Sequence, residues 1–186
     1  MVQLKYSGAI TLSNVFQLIK NEIAKYVSKE DFNDNINLLS HQIRDNEFRG
    51  LALMRSCQYG LEYLCIENFK NFNDIDTTKD NWSSIMKSGD TSTGYTIENP
   101  TGSTNSFQSK SFDVEITPYQ AIVLLDCEVG TGASIEVQIS KNDGSSWTSI
   151  TQDTMTDLGT LVQKKIRVRI TMVGQVKIHN IAWGIK

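Results

Sequence analysis

The chain holds two histidines, His41 and His179, and that limits the proton chemistry it can do near neutral pH. A serine or cysteine nucleophile needs a neighbouring base, usually a histidine oriented by a carboxylate. His41 falls in a helix-patterned stretch and His179 beside alternating strand positions, so neither pattern sets a base next to a nucleophile. Cys57, Cys65 and Cys127 lack the paired spacing of a zinc site or a disulfide framework. Cys127 lies in a largely apolar run, where cysteine acts as a small hydrophobe, and all three read as buried and inert. Asp113, Glu115, Asp126, Glu128 and Glu136 could meet in space as a carboxylate pair for glycoside hydrolysis. On alternating outward positions, however, such carboxylates read as a solvated face. Asp74, Asp76 and Asp80 offer oxygen ligands for calcium, but the calcium-loop pattern is absent, as is a glycine-rich phosphate loop. The expectation is a non-enzymatic protein with no metal and no cofactor.

Charge and hydropathy narrow the class further. Lys and Arg number 18 against 21 Asp and Glu, a net charge of −3, which gives no basic face for nucleic acid. No apolar run approaches the roughly 20 residues that cross a bilayer, so no membrane insertion is expected. The N-terminus lacks the regions of a signal peptide, which points to synthesis in the cytoplasm.

The pattern along the chain divides it into residues 1–60, a helical stem; 61–80, a junction; and 81–186, a β-sandwich. In the stem, Ser13 caps a helix whose stripe is Val15, Phe16, Ile19, Ile23 and Tyr26, and Ser28 with Asp31 gives a second start. From there Phe32, Ile36, Leu39 and Ile43 alternate steps of four and three. The same register continues through Asn46, Gly50, Leu53 and Cys57, a seam weakened in its middle. One reading is a helical hairpin within a single chain. The other is a short oligomerising coiled coil along Phe32, Ile36, Leu39, Ile43 and Leu53, in which Asn46 sets register and strand number. The second is favoured because so long a helix has few other surfaces of its own chain to pack against.

Beyond residue 80 the helix period disappears. Phe112, Val114 and Ile116 alternate with acids; Ile135, Val137 and Ile139 alternate; so do Ile166, Val168, Ile170 and Met172. Ala121 to Leu125 is continuously apolar, as in a strand covered on both faces. A last strand runs from Val176 through Ile178 towards Trp183 and Ile185, after a turn at Gly174. Many short strands with turn residues between them predict an α+β chain: a helical stem, then an antiparallel, jelly-roll-like sandwich.

Two local similarities add to this. Ser140-Lys141-Asn142-Asp143-Gly144-Ser145-Ser146-Trp147 resembles the Asp-box of sialidases and related propellers, with Asn142 and Ser146 at the Asp and Thr places. It occurs once, without the repeat of a propeller, and even there it implies a structural turn. The opening Ser7-Gly8-Ala9-Ile10-Thr11-Leu12-Ser13 is similar to N-termini of small tail proteins of tailed bacteriophages. Asp45, Phe48, Leu51, Met54 and Leu61, then Ile66-Glu67-Asn68-Phe69 and Asn73-Asp74-Ile75-Asp76-Thr77, resemble a stem-to-head junction of such virion proteins.

That resemblance implies a tail-fibre, baseplate or head-decorating protein, assembled in the host cytoplasm into a virion. Its partners would be other virion structural proteins, copies of itself in a trimer, and a host-surface glycan. For the glycan, Trp82, Tyr95, Tyr119 and Trp147 are the expected ligand contacts, with Trp183 a weaker fifth, because an exposed aromatic ring stacks on a sugar. A capsid or neck decoration that binds no sugar is the first alternative. A carbohydrate-binding module or glycan-active enzyme is the next.

Overall fold

The computed structural model describes residues 18, 19, 21, 29–90, 94–100, 102–159 and 164–186. The expected first helix through Ser13 and Tyr26 lies largely outside them, as does the side chain of Phe32. Helix α1 runs from Lys29 to Tyr59. Glu30 and Asp31 sit in its first turn, where acidic groups complement the helix dipole. It stops at Gly60, whose φ of +62° is open to glycine without strain, and the Leu61 amide donates back to Ser56 O at 3.0 Å. That closure turns the chain straight into the first strand.

The strands are β1 (Tyr63–Glu67), β2 (Met86–Asp90), β3 (Gly94–Asn99), β4 (Thr104–Gln108), β5 (Phe112–Asp113), β6 (Gln120–Val129), β7 (Ser134–Ser140), β8 (Thr148–Ile150), β9 (Thr156–Asp157), β10 (Lys165–Val173) and β11 (Val176–Ile185). They form two antiparallel sheets. One has the order β2-β3-β11-β6-β9, with β1 also on β11; the other has the order β4-β10-β7-β8, with β5 also on β10. The expected alternations hold: Ile166, Val168, Ile170 and Met172 point into the core, as do Val137 and Ile139. There they meet Val123, Ile178, Phe107 and Phe69 of one continuous cluster between the sheets. The strand expected over Phe112–Ile116 is only two residues long, although Val114 and Ile116 still pack on the core.

The unbroken apolar run of β6 has the cover it demands. Ala121, Val123 and Leu125 belong to the inter-sheet core, while Ile122 and Leu124 face the other way, onto Phe48 and Ala52 of α1. Leu51, Tyr59, Leu61, Leu64, Ile66 and Met155 complete that second cluster. Two arginines pin the helix. Arg44 reaches Asp126 through Nε at 2.7 Å and Nη2 at 2.8 Å, and Arg55 reaches Asp153 at 2.6 and 2.5 Å. A Cβ at Gly184 would displace the end of the Leu61 side chain and press on the Tyr63 carbonyl at 3.0 Å.

Two features bear on the expected organisation. Residues 41–186 form one compact unit and the residues up to Ser40 fall outside it. Within residues 61–80, β1 pairs with β11 and the Phe69 and Ile75 side chains are buried in the sandwich core. The second concerns the helix, which does find a surface in its own chain. It docks through Arg44, Phe48, Ala52 and Arg55, none of them a seam residue, and leaves Ile43 and Leu53 in solvent.

Removing the buried ring in Phe48→Ala should cost about 3 kcal/mol of stability in urea unfolding, the lower end for a large-to-small core change. Stability should also fall on acidification. Burial, with the nearby Arg44 charge, holds His179 below its ordinary 6.5, so the folded imidazole stays neutral while the unfolded one protonates. Burial raises Asp126, but the bonds from Arg44 and Asn180 outweigh it and leave the carboxyl below its ordinary 3.8. Both groups are depressed in the folded state, so their contribution is full above about pH 6.5 and is lost as the pH falls through their folded values. Urea midpoints from pH 7.5 to 3 should decline in two stages, and His179→Gln should remove the upper one.

Candidate functional site

With α1 closing the outer face of the larger sheet, the outer face of the smaller sheet is built differently. Its inward positions are aliphatic, and its outward positions on β10 are Lys165, Arg167, Arg169 and Thr171. Register places Gln108 and Gln138 on either side of Arg169, and Ser106 and Glu136 on either side of Thr171. Gln138 in turn faces Ser149 on β8. Gln138 Oε1 accepts from Arg169 Nε at 2.9 Å and from Nη2 at 2.5 Å. The same guanidinium lies over the Trp147 ring, 4.2 Å from its centroid. Ser149 Oγ donates to Glu136 at 2.9 Å, and Gln108 Nε2 donates to Asp80 at 3.1 Å.

Arg167 ties this face to two loops. Its Nη1 donates to Asp76 at 2.9 Å and to the Ser109 carbonyl at 3.1 Å; its Nε donates to Asp143 at 2.7 Å. Thr78 and then Arg167 hold the Asp76 carboxyl below its usual value. The Arg167 bond does the same for Asp143. Burial works against the Arg167 charge, but these two carboxylates raise its pKa overall.

The loop carrying Asp143 and Trp147 is the Asp-box-like segment, and it is a self-satisfied turn. Asn142 Oδ1 accepts from Ser146 N and Ser140 Oγ, both at 2.8 Å, while Ser140 Oγ accepts from Gly144 N at 2.8 Å. Asp143 and Gly144 take φ of +56° and +85°, the positive range that this turn chemistry needs. Lys141 folds back, burying its amine against the carbonyls of Leu158 and Gly159.

The expected aromatic contacts scatter. Trp147 lies on the outer face, but one side of its ring is taken by Arg169. Trp82 is 7% exposed and packs edge-on against Phe72 and Phe107, with Lys87 over its ring, so it belongs to the core. Tyr95 is half-buried against Phe72. Tyr119, 52% exposed, lies between the Pro118 turn and β6, at the edge of the other sheet. Trp183 is buried against Phe112.

The candidate carboxylates do not converge. Asp126 and Glu128 bind Arg44 on the larger sheet, Glu136 lies on the smaller one, and Asp113 pairs with Lys165 at 3.3 Å. Asp76 and Asp80 are engaged by Arg167 and Gln108. Among the described residues no group of three or more His, Cys, Asp or Glu is placed to hold a metal. Burial pushes the Cys65 thiol up to about 11, away from reactivity. Cys57 departs from expectation and is exposed; all three cysteines are free. Arg167, Arg169, Gln138 and Gln108 are polar residues of this sheet that no aromatic pattern marks. The outward half of the β10 and β7 alternations marks Arg167, Arg169 and Gln138, whereas Gln108 ends β4.

No protein-family model matches this chain, and no curated protein sequence matches it. Among solved structures it is similar to a family 6 carbohydrate-binding module studied for its binding sub-sites, at 15% identity and a TM-score of 0.36. That match covers 63% of this chain and 90% of the other. It is also similar to TmCBM61 in complex with beta-1,4-galactotriose, at 14% identity and a TM-score of 0.29, covering 66% of this chain and 88% of the other.

Asn142→Ala removes the acceptor that organises the turn and should lower stability by about 1–3 kcal/mol, read as a drop in thermal midpoint. Wild-type stability in that variant would mean the backbone holds the turn unaided.

Proposed function

We propose that this protein is a non-enzymatic glycan-binding protein that engages sugar through the outer face of the smaller sheet. The observation that carries the reading is the Arg169–Gln138–Trp147 arrangement at the middle of that face. A sugar presents hydroxyl groups that both donate and accept. Gln138, Thr171 and Ser149 supply both roles on one face, and Arg169 adds donors beyond the two spent on Gln138. Arg169 already holds Gln138 and Glu136 already holds Ser149, so Gln138 and Ser149 lose little conformational freedom on binding. Trp147 acts by fixing the guanidinium rather than as an open stacking plane. The carboxylates Asp76, Asp80, Asp143 and Glu136 around the face disfavour a phosphate backbone and suit hydroxyl recognition. The resemblance of the first 80 residues to tailed-phage proteins supports placing this binding protein in a tail fibre or baseplate, where the sugar belongs to the host surface.

The test is a glycan array with the whole chain, followed by titration calorimetry on the best ligand. Arg169→Ala and Gln138→Ala should each weaken binding by about tenfold or more, equivalent to one lost charge-assisted hydrogen bond. Tyr119→Ala should leave affinity unchanged. A folded protein that binds no glycan, or one whose binding survives both substitutions, overturns the reading.

A further inference from the structure

The stretch of α1 from His41 to Tyr59 is apolar on two opposite sides, and its own chain uses one of them. At ~100° per residue, Phe48, Ala52 and Tyr59 share one side of the helix, and Ile43, Gly50, Leu53 and Cys57 centre on the other. The first set is packed on β6 and β11. In the second, Ile43 and Leu53, with Met54 beside them, are 50%, 56% and 54% exposed. A surface helix with one neighbour needs only one apolar stripe. A second stripe of large aliphatics in water is the mark of a further partner.

The spacing says what that partner is. Steps of four and three, begun in the sequence at Phe32 and kept through Ile43 to Cys57, match a surface that repeats every seven residues, which a strand or loop does not offer. Another copy of this helix does. Positions flanking the stripe in this stretch are Gln42, Glu47, Arg49, Met54 and Ser56, so a copy laid alongside meets no block of like charge. Nothing lies within 4 Å of where a Cβ on Gly50 would stand, which leaves room for a neighbouring backbone to approach. Because the stripe faces away from the sheet, copies joined along it keep their sandwiches on the outside.

We infer that α1 is the self-association surface of this protein: the outer stripe through Ile43 and Leu53 pairs with the same stripe of a second copy, as a parallel coil with the sandwiches projecting outward. The inference is independent of the glycan reading. Joined copies would present several sheet faces at once, so weak single contacts would add as avidity.

The experiment is light scattering on the full chain up to about 100 µM, since self-association depends on concentration. The expected mass is twice the 20.9 kDa of one chain. Ile43→Glu combined with Leu53→Glu should return the mass to one chain with unchanged circular dichroism, because neither residue is buried in its own chain. Asn46→Ile should move the association to lower concentration by about tenfold or more, as replacing a polar seam residue strengthens the coil. A parent chain that stays monomeric at the highest concentration overturns the inference. So does an oligomer whose mass survives the double substitution.

Discussion

Everything in this fold turns on a strand that cannot stand at a surface. From Ala121 to Leu125, β6 is apolar on both faces, and its two sets of side chains leave water in opposite directions. A sandwich of two sheets covers only one of them. At roughly 1.5–3 kcal/mol for each large aliphatic left wet, an uncovered Ile122–Leu124 face would erode much of a domain's net stability. Helix α1 is the missing layer. The ion pairs at Arg44 and Arg55 place it, and the small residues Ala52 and Ala182 sit in the contact between helix and sheet.

Closing one outer face assigns the remaining work to the other. The smaller sheet keeps aliphatics on its inner side and spends its outer positions on hydrogen-bonding groups that engage each other across three strands. Charge there is locally balanced: Arg167 sits between two carboxylates, and Arg169 is steadied by an amide oxygen and an indole ring. Such a surface is ordered before anything binds to it. The Asn142 turn contributes to that order by delivering Asp143 and Trp147 to the same edge.

Much of the architecture can be read without coordinates. Period-two alternation in β7 and β10 marks inner and outer faces, the unbroken run in β6 marks double burial, and Asn-Asp-Gly marks the hairpin between β7 and β8. What the pattern hides is partnership. The 3–4 spacing from Phe32 to Cys57 is the more regular of the two helical stripes, so it draws attention from Phe48 and Ala52, which bind the sheet with only one large side chain between them. Trp82 sits in a polar, turn-rich neighbourhood and looks exposed; in three dimensions Phe72, Phe107 and Lys87 converge on it from distant positions. Arg169 and Gln138 are unremarkable singly. Their meaning comes from a cross-strand register of 31 positions' separation, which no local window contains.

The position of β11 in its sheet has a consequence for how the protein comes to exist. This strand, Val176–Ile185, pairs with β6 along one edge and with both β1 and β3 along the other, so three earlier strands wait for it. Until it emerges, the larger sheet has no centre, and Ile122, Leu124 and the apolar side of α1 have only half a surface to close against. Assembly therefore proceeds late and through distant pairings, Tyr63 with Ile185 among them, rather than hairpin by hairpin. A growing chain in that condition carries an open sheet and a wet helix together, the combination most prone to joining the wrong neighbour before the right one is made.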